Sequence, residues 1–185
     1  MSLIYKIIKK WLPLAVLTAG LCALVYLTVQ QSLRMGANDP QIQMAEDAAS
    51  QLNTGAGVKS VLPSTKVEIA ESLAPFMIVF DKSGNVLASS ATLHGTVPAY
   101  PAGVLNYVRK NGQDRVTWQP EAGVRMATVV TPYQNGFVMT GRSLTEVEKR
   151  ESQVESLSGL AMLGIWVMTL VIIVLGELVG RQKSA

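Results

Sequence analysis

Five side chains in the middle of the chain have the chemistry to bind a small molecule. An arginine fork can hold a carboxylate through two parallel hydrogen bonds, and aromatic rings can form the wall of a pocket. These residues lie in or beside short segments rich in strand-forming residues, so a sheet could place them at one cavity. The candidate ligand-binding residues are Arg115, Trp118, Arg125, Tyr133 and Tyr100.

Each candidate also has a purely structural explanation. Alternation along its strand puts Trp118 on one face and Arg115 on the other, and a buried indole usually packs in a core. Arg125 could instead reach solvent or pair with Glu121 across a turn. Both interpretations stay open at the level of sequence.

Catalysis and metal binding have little support. His94 is the only histidine and lies in a loop with glycine and proline, where it is either a solvated residue or a pH sensor. No Gly-x-Ser-x-Gly motif, Ser/His/Asp set or phosphate loop is present. Cys22, the only cysteine, lies in an apolar run and leaves the central segment without a thiol nucleophile. We therefore expect no enzyme, no catalytic residue, no cofactor and no metal site.

Two long apolar runs flank the central segment. Trp11–Val29 and Leu160–Leu175 carry no charge, and about 20 helical residues cross a bilayer core of about 30 Å. The first run is too long for a signal-peptide core and no small-x-small cleavage site follows it. The sequence predicts transmembrane helices over residues 11–33 and 157–179. Glu177 is expected to be solvated at the headgroup level.

Basic residues beside the apolar runs predict the orientation. Lys6, Lys9 and Lys10 flank the first run, and Arg181 and Lys183 follow the second. The positive-inside rule then predicts that both termini are cytoplasmic. The chain is expected to cross the inner membrane of the cell twice. The remaining predicted regions are cytoplasmic tails at 1–10 and 180–185 and an extracytoplasmic domain at 34–152.

The net charge of +3 comes from the membrane flanks, since acidic and basic residues nearly balance in the central segment. It therefore indicates no nucleic-acid partner. The lipid bilayer is the one partner that the composition predicts directly.

The central segment begins with a predicted helix and continues as strands. Pro40 predicts a break near Gly36–Asp39 and a new helix capped by Asp39, which ends at Gly55. A short helix is expected near Glu68–Leu73. Short apolar runs and turn residues then predict five strands, covered on both faces where alternation is absent, and one helical connection before the third. The strands are Phe76–Phe80, Asn85–Ser89, Arg115–Gln119, Val124–Tyr133 and Phe137–Arg142.

The order of these elements resembles a known sensor family. "FMIVFDKSGNVLASS" reads as a first hairpin, "GFVMTGRSLTEVEKRE" as a last strand entering a helix, and a predicted span lies on each side. This pattern is similar to the extracytoplasmic PAS-like or Cache domains of bacterial membrane receptors and sensor histidine kinases. The resemblance implies an α+β fold, a PAS-like five-stranded antiparallel sheet with flanking helices between two transmembrane helices. The sequence predicts no kinase, methyl-accepting or cyclase module after the second span, which is a departure from the family pattern.

The helix after the last strand is the most specific feature. Ser143 and Glu146 form a predicted capping box, and Leu144, Val147 and Val154 share one face. No proline interrupts the path into the second span, so this helix could carry a movement to the membrane. A passive stalk needs the same sequence.

Small residues recur in both spans. Ala15, Ala19 and Ala23 are spaced every four residues, and Gly176 and Gly180 form a Gly-x-x-x-Gly. Such residues let helices approach closely in lipid, although they are also ordinary in spans.

The sequence predicts a membrane-anchored sensory or regulatory protein. It would bind a small ligand or sense the state of the envelope and signal through its spans to a membrane protein partner or a second copy. The alternative is an envelope structural or assembly protein that docks a protein and binds no small molecule. A polar pocket beside the sheet favours sensing, and a filled core with an exposed apolar patch favours docking.

Overall fold

In residues 2–182, which the computed structural model describes, the chain forms three helices and seven strands. It divides into two compact units, one of the residues up to Leu33 with those from Lys149 onward, and one of Arg34–Glu148. Lys183 and the last two residues of the predicted tail lie outside the described residues. The elements are α1 (Leu3–Asn53), β1 (Val67–Glu68), β2 (Phe76–Asp81), β3 (Val86–Ser89), β4 (Ala91–Thr92), α2 (Ala102–Asn111), β5 (Asp114–Glu121), β6 (Val124–Tyr133), β7 (Gly136–Ser143) and α3 (Thr145–Gln182).

The central unit is built on a five-stranded antiparallel sheet with the order β3-β2-β7-β6-β5. All five predicted strands are confirmed, with ends that differ by no more than two residues. Gly84 has a φ of 88° in the turn that joins β2 to β3, as the hairpin prediction requires. The sequence therefore identified the α+β class and the elements of the sheet.

Both faces of the sheet are covered, as the unbroken apolar run of β2 predicts. Along β2, Phe76, Ile78 and Phe80 point into one hydrophobic cluster, while Met77 and Val79 point into another. The first cluster includes Leu105 and Val108 of α2, so we call that side the α2 face. The second includes alanines of α1, so we call that side the α1 face.

The predicted break in the first helix is wrong. A single helix, α1, continues through Gly36–Asp39 and Pro40 and ends at Asn53, where Gly55 has a φ of 96°. Pro40 has no N–H to donate to the Gly36 carbonyl four residues before it. Both residues lie on the exposed side of α1, so water can satisfy this carbonyl instead. The opposite side of α1 is buried on the sheet, and that packing outweighs the cost of the proline. The buried residues on that side include Ala37, Gln41, Ala45, Ala48, Ala49 and Leu52.

A small second sheet was not predicted. Val67–Glu68 pairs in parallel with Ala91–Thr92, where a short helix near Glu68–Leu73 was expected. Ile69, next to β1, is 1% exposed and belongs to the α2-face cluster. A strand of two residues carries too little periodicity to be recognised in sequence.

The other unit contains two helical segments, within α1 and α3, that are long and apolar enough to cross a membrane. Together with the sheet domain between them in sequence, they fit a two-pass membrane protein. The two segments contact each other through a reciprocal tryptophan pair. Trp11 Nε1 donates to the Trp166 carbonyl at 3.1 Å, and Trp166 Nε1 donates to the Ala15 carbonyl at 3.2 Å. The rings meet edge to face with centroids 5.9 Å apart.

Candidate functional site

The five candidate ligand residues do not converge on one pocket. Trp118 is 5% exposed and lies in the α2-face core, where its ring centroid is 5.1 Å from that of Tyr100 in an edge-on contact. Arg115 is exposed and lies on the opposite side of β5, in agreement with the predicted alternation. Arg125 and Tyr133 lie at two further places, so the set is divided into four locations.

The hydroxyl of Tyr100 is held inside the α2 face. It shares a 2.9 Å hydrogen bond with Thr128 Oγ1, which in turn donates to the Val116 carbonyl at 2.8 Å. Burial raises the pKa of Tyr100 to about 12, against a smaller opposing effect of the Thr128 hydrogen bond. Tyr100 and Trp118 therefore act as core residues at this location, and the Tyr100 hydroxyl has a hydrogen-bond partner.

Arg125 links the sheet to the helix that follows it. Its guanidinium forms an ion pair with Glu148 of α3, rather than with Glu121 across the turn. The Arg125 carbonyl also accepts the Leu144 N–H at 2.9 Å. Two bonds from one residue of β6 thus fix the point at which β7 ends and α3 begins.

An apolar cluster completes this connection. Leu144, which is 9% exposed, packs with Ala37 of α1 and Ala127 of β6, and Val147 lies against them. Together with the Arg125–Glu148 pair, these residues form what we call the junction. The first helix, the sheet and the last helix meet there, which is the arrangement that coupling between them would require.

The start of α3 differs in detail from the prediction. The Ser143 hydroxyl accepts the N–H of Thr145 at 3.2 Å and contacts its hydroxyl at 2.8 Å, so the capping box with Glu146 is not formed. Leu144 and Val147, which were predicted to share one face, both pack in the junction. Val154 is half-buried and belongs to the other unit. Glu146 is half-buried.

The α1 face contains polar groups that the sequence analysis missed. Thr140 Oγ1 donates to the Gln41 carbonyl at 2.7 Å, and both residues are buried. Among the described residues, Gln41 Oε1 and Arg142 Nε are buried without a hydrogen-bond partner. The position of Gln41, one turn before Ala45 on the apolar side of α1, was the signal that could have revealed it.

A cavity of about 280 Å³ opens at the end of the sheet where β6 turns into β7. Tyr133 lines it, which is the only contribution from the predicted ligand set. Arg109 of α2 and Lys82 of the β2–β3 turn add two positive charges. Because the wall comes from three distant segments, only the fold could bring these residues together. The remaining lining residues are Pro132, Gly136 and Phe137.

Three acidic or basic groups at strand ends or in a loop of the domain have shifted pKa values. Hydrogen bonds from Asn85 and Ser83 lower the pKa of Asp81. Partial burial would raise the pKa of Glu68, but hydrogen bonds from the backbone of His94 and the neighbouring glycine lower it overall. The hydrogen bond and charge of Glu121 raise the pKa of His94, with 2.8 Å between Nε2 and Oε2. These contacts fix loop geometry rather than bring reactive groups together.

The predicted small-residue faces are only partly used within the chain. Ala15 is 5% exposed and Ala19 is half-buried, but Ala23 is exposed. A Cβ added at Gly176 or Gly180 would meet no atom within 4 Å among residues 2–182. Ala15, a member of the predicted small-residue face, takes part in the tryptophan contact, because its carbonyl accepts the hydrogen bond from Trp166 Nε1.

The expectation that Glu177 is solvated is wrong in part, because this carboxylate forms an ion pair. Its carboxylate lies 2.6 Å from Lys10 Nζ and its side chain is 12% exposed. A charged pair on facing helices costs less in an apolar medium than either charge alone. The pair therefore fixes one end of the contact between these two helical segments.

Within the described residues, no group of three His, Cys, Asp or Glu side chains is placed to hold a metal ion. Comparisons of the chain with protein-family models, with curated proteins and with solved structures find no match.

Proposed function

We propose that this protein is a membrane-anchored sensory or regulatory protein with a PAS-like extracytoplasmic domain. The domain binds a small ligand or responds to the state of the envelope, and α3 transmits the response to a partner membrane protein. Two observations support this proposal. The chain has two long apolar helices, and the elements of its sheet domain follow the order hairpin, helical connection and three further strands. That order of elements is the one on which the resemblance to sensor domains rests.

The observation that carries the proposal is the junction. Ala37 of α1, Ala127 of β6 and Leu144 before α3 pack together, and the Arg125–Glu148 pair ties the sheet to the first turns of α3. A shift of β6 or β7 would change these contacts directly. Because packed clusters prefer discrete arrangements to gradual deformation, the junction is suited to switching. The same ion pair would also anchor a passive stalk, and the variants described next distinguish transmission from a stalk.

The test uses the junction itself as the input, since the ligand is unknown. Arg125→Glu and Glu148→Arg each place like charges together, whereas the double exchange restores an opposite pair. A photocrosslinking residue at Val167, on the exposed apolar side of α3, reports the neighbours of that helix in membranes. Both single variants should change the crosslinking pattern and the double exchange should restore it.

The matched control is Arg115→Glu, because Arg115 is exposed on β5 and lies outside the junction. This variant should leave the Val167 crosslinks unchanged. Identical crosslinks in all four variants, with folded domains by circular dichroism, would establish a passive stalk and reject the transmission proposal.

A docking function has its own supporting observation. The α2-face core is filled by Tyr100 and Trp118, and β3 is an edge strand of the sheet. Its Val86 and Leu87 are 42% and 48% exposed, and an exposed apolar edge can pair with another chain. Two results would favour this alternative. A photocrosslinking residue at Leu87 would crosslink to one envelope protein, and the α3 crosslinks would not change in the junction variants.

A further inference from the structure

We propose that the cavity lined by Lys82, Arg109 and Tyr133 binds a small oxyanion, a carboxylate or a phosphate group. This proposal deepens and rests on the proposed sensory function, because it names the site and the ligand class. The cavity lies between the β2–β3 turn, the last turn of α2 and the β6–β7 turn. It is distinct from the filled α2-face core, where the structure places the ligand candidates Trp118 and Tyr100.

Arg109 is held in place without losing its charge. It donates to Asn106 Oδ1 at 2.7 Å and to the Lys82 carbonyl at 2.6 Å, and its guanidinium lies 5.4 Å from the centre of the Phe137 ring. Both acceptors are neutral, so the positive charge is not cancelled. A guanidinium has five N–H donors, and those that remain can meet an oxyanion in the fork geometry that arginine favours.

The other polar residues of the wall add to this preference. Lys82 supplies a second positive charge. The Tyr133 hydroxyl is 3.4 Å from the Phe80 carbonyl, a long contact that leaves the phenol available to a ligand. The neighbouring carboxylate of Asp81 accepts 2.8 Å hydrogen bonds from Ser83 N and from Asn85 N and Nδ2. These bonds hold it in its own turn but keep it ionised, so one negative charge stands against the two positive charges of Arg109 and Lys82.

Size and shape limit the ligand further. About 280 Å³ is near the lower end for small-molecule sites, so a ligand of a few carbon atoms fits and a nucleotide does not. Pro132 and Phe137 supply an apolar surface for its carbon skeleton, while the oxyanion lies against Arg109 and Lys82. A carboxylate and a phosphate share this recognition chemistry, and the experiment separates them.

The location of the cavity also relates binding to the junction. Gly136 and Phe137, in its wall, are the first two residues of β7, and β7 ends immediately before Leu144. One strand therefore has the cavity at its beginning and the junction at its end. An anion that restrains the beginning of β7 acts on the same strand that leads into α3.

The test measures binding to the full chain in nanodiscs of zwitterionic lipid. Succinate, acetate and inorganic phosphate are added at constant ionic strength with chloride as the reference, and hydrogen exchange is followed at residues 136–138. Slower exchange and a higher melting temperature are expected with succinate or phosphate but not with chloride. The difference between succinate and phosphate identifies which oxyanion is preferred.

Arg109→Gln should weaken binding by about tenfold or more, because a charged hydrogen-bonding partner is lost. Lys82→Gln, which leaves the Phe137 contact intact, should weaken it several-fold and covers the case in which Arg109→Gln fails to fold. Arg115→Gln is the matched control and should bind normally. Absence of any probe effect, or an equal loss in Arg115→Gln, would overturn the anion site.

The two proposals fail in different ways. In the first case, the probe binds in a way that depends on Arg109, but neither the probe nor the junction variants change the Val167 crosslinks. This result supports the anion site and rejects transmission. Crosslinks that respond to Arg125→Glu, with no probe binding to the unmodified protein, support transmission and reject the anion site.

Discussion

The two faces of the central sheet are packed in different ways. The α2 face is filled by large side chains, among them Phe80, Trp118 and Phe137, and the buried hydroxyls of Tyr100 and Thr128 are bonded to each other. On the α1 face, α1 itself contributes mainly small residues to the packing, and the buried polar atoms are only partly satisfied. The alanines on that side are Ala37, Ala45, Ala48, Ala49 and Ala127.

The difference indicates separate roles for the two faces. Large interlocking rings bury much apolar surface and hold one arrangement. Alanines let a helix approach closely but contribute little area each, and an unpartnered buried polar group costs about 1–3 kcal/mol. We therefore expect the α2 face to supply more of the stability than the α1 face. The α1 face, which includes the junction, is the side where a second arrangement of α1 costs least.

The largest effect is expected from opening the α2 face. Trp118→Ala should lower the free energy of unfolding of the sheet domain by about 3–5 kcal/mol, since a buried ring is removed and a cavity remains. Hydrogen exchange of the β6 and β7 amides in the full chain measures this change. Thr117→Ala, at the exposed neighbouring position, is the control and should change it by less than about 0.5 kcal/mol. Equal effects would show that Trp118 is not a principal core residue.

Crowding the α1 face should have an intermediate effect. Ala45 is 0% exposed, so Ala45→Leu forces the helix away from the sheet and should cost about 1–3 kcal/mol. The measurement is again hydrogen exchange, with Gln43→Leu on the exposed side of α1 as the control. If Ala45→Leu is tolerated as well as Gln43→Leu, the close approach of α1 is not required.

A substitution at Gln41 should act in the opposite direction. Gln41 is 1% exposed and its Oε1 has no partner among the described residues, so Gln41→Met removes an uncompensated polar atom and keeps similar volume. We expect the sheet domain to gain about 1 kcal/mol of stability. The melting temperature of the full chain measures this gain, and Gln43→Met should be nearly neutral. A loss of stability in Gln41→Met would show that the amide contributes to the packing of α1.

The sign of this effect also bears on the proposed function. If the unpaired polar atoms keep α1 able to move, the stabilised Gln41→Met variant should respond less to Arg125→Glu in the Val167 crosslinking assay. An unchanged response would separate the polar cost on the α1 face from transmission through the junction.

The strands were predictable because their signal is local. An apolar run such as that of β2, bounded by a turn with Gly84, is visible within a few residues. The course of α1 through Pro40 was not predictable from local sequence. The buried side that keeps α1 helical there contacts strands about 100 residues later, as in the hydrogen bond from Thr140 to Gln41.

The site was less predictable than the fold for the same reason. Residue type made Arg125 and Tyr133 ligand candidates, but the structure pairs Arg125 with Glu148, and the cavity beside Tyr133 depends on Arg109. Arg109 lies in a short connecting helix with nothing in its local sequence to distinguish it. Only the packing of α2 against the beginning of β7 shows its role.

The smallest expected effect concerns the rim of the α2 face, where Leu93 packs on the core beside His94. Glu121 raises the pKa of His94 above its ordinary value of 6.5, first through a hydrogen bond and then through its charge. A raised folded-state pKa means that this pair stabilises the fold below the ordinary pKa and that the contribution is lost as pH rises through the raised value. His94 is the only histidine of the chain, so an imidazole titration reports this rim of the α2 face.

Glu121→Gln should move the pKa of His94 back toward 6.5 and flatten the pH dependence of stability in this window. A nuclear magnetic resonance titration of the single imidazole in the full chain measures the pKa directly. Arg125→Gln, which breaks the junction pair on the other face, should leave that titration unchanged. If it moves the pKa of His94 as much as Glu121→Gln does, the two faces are coupled through the sheet and the separation of their roles is wrong.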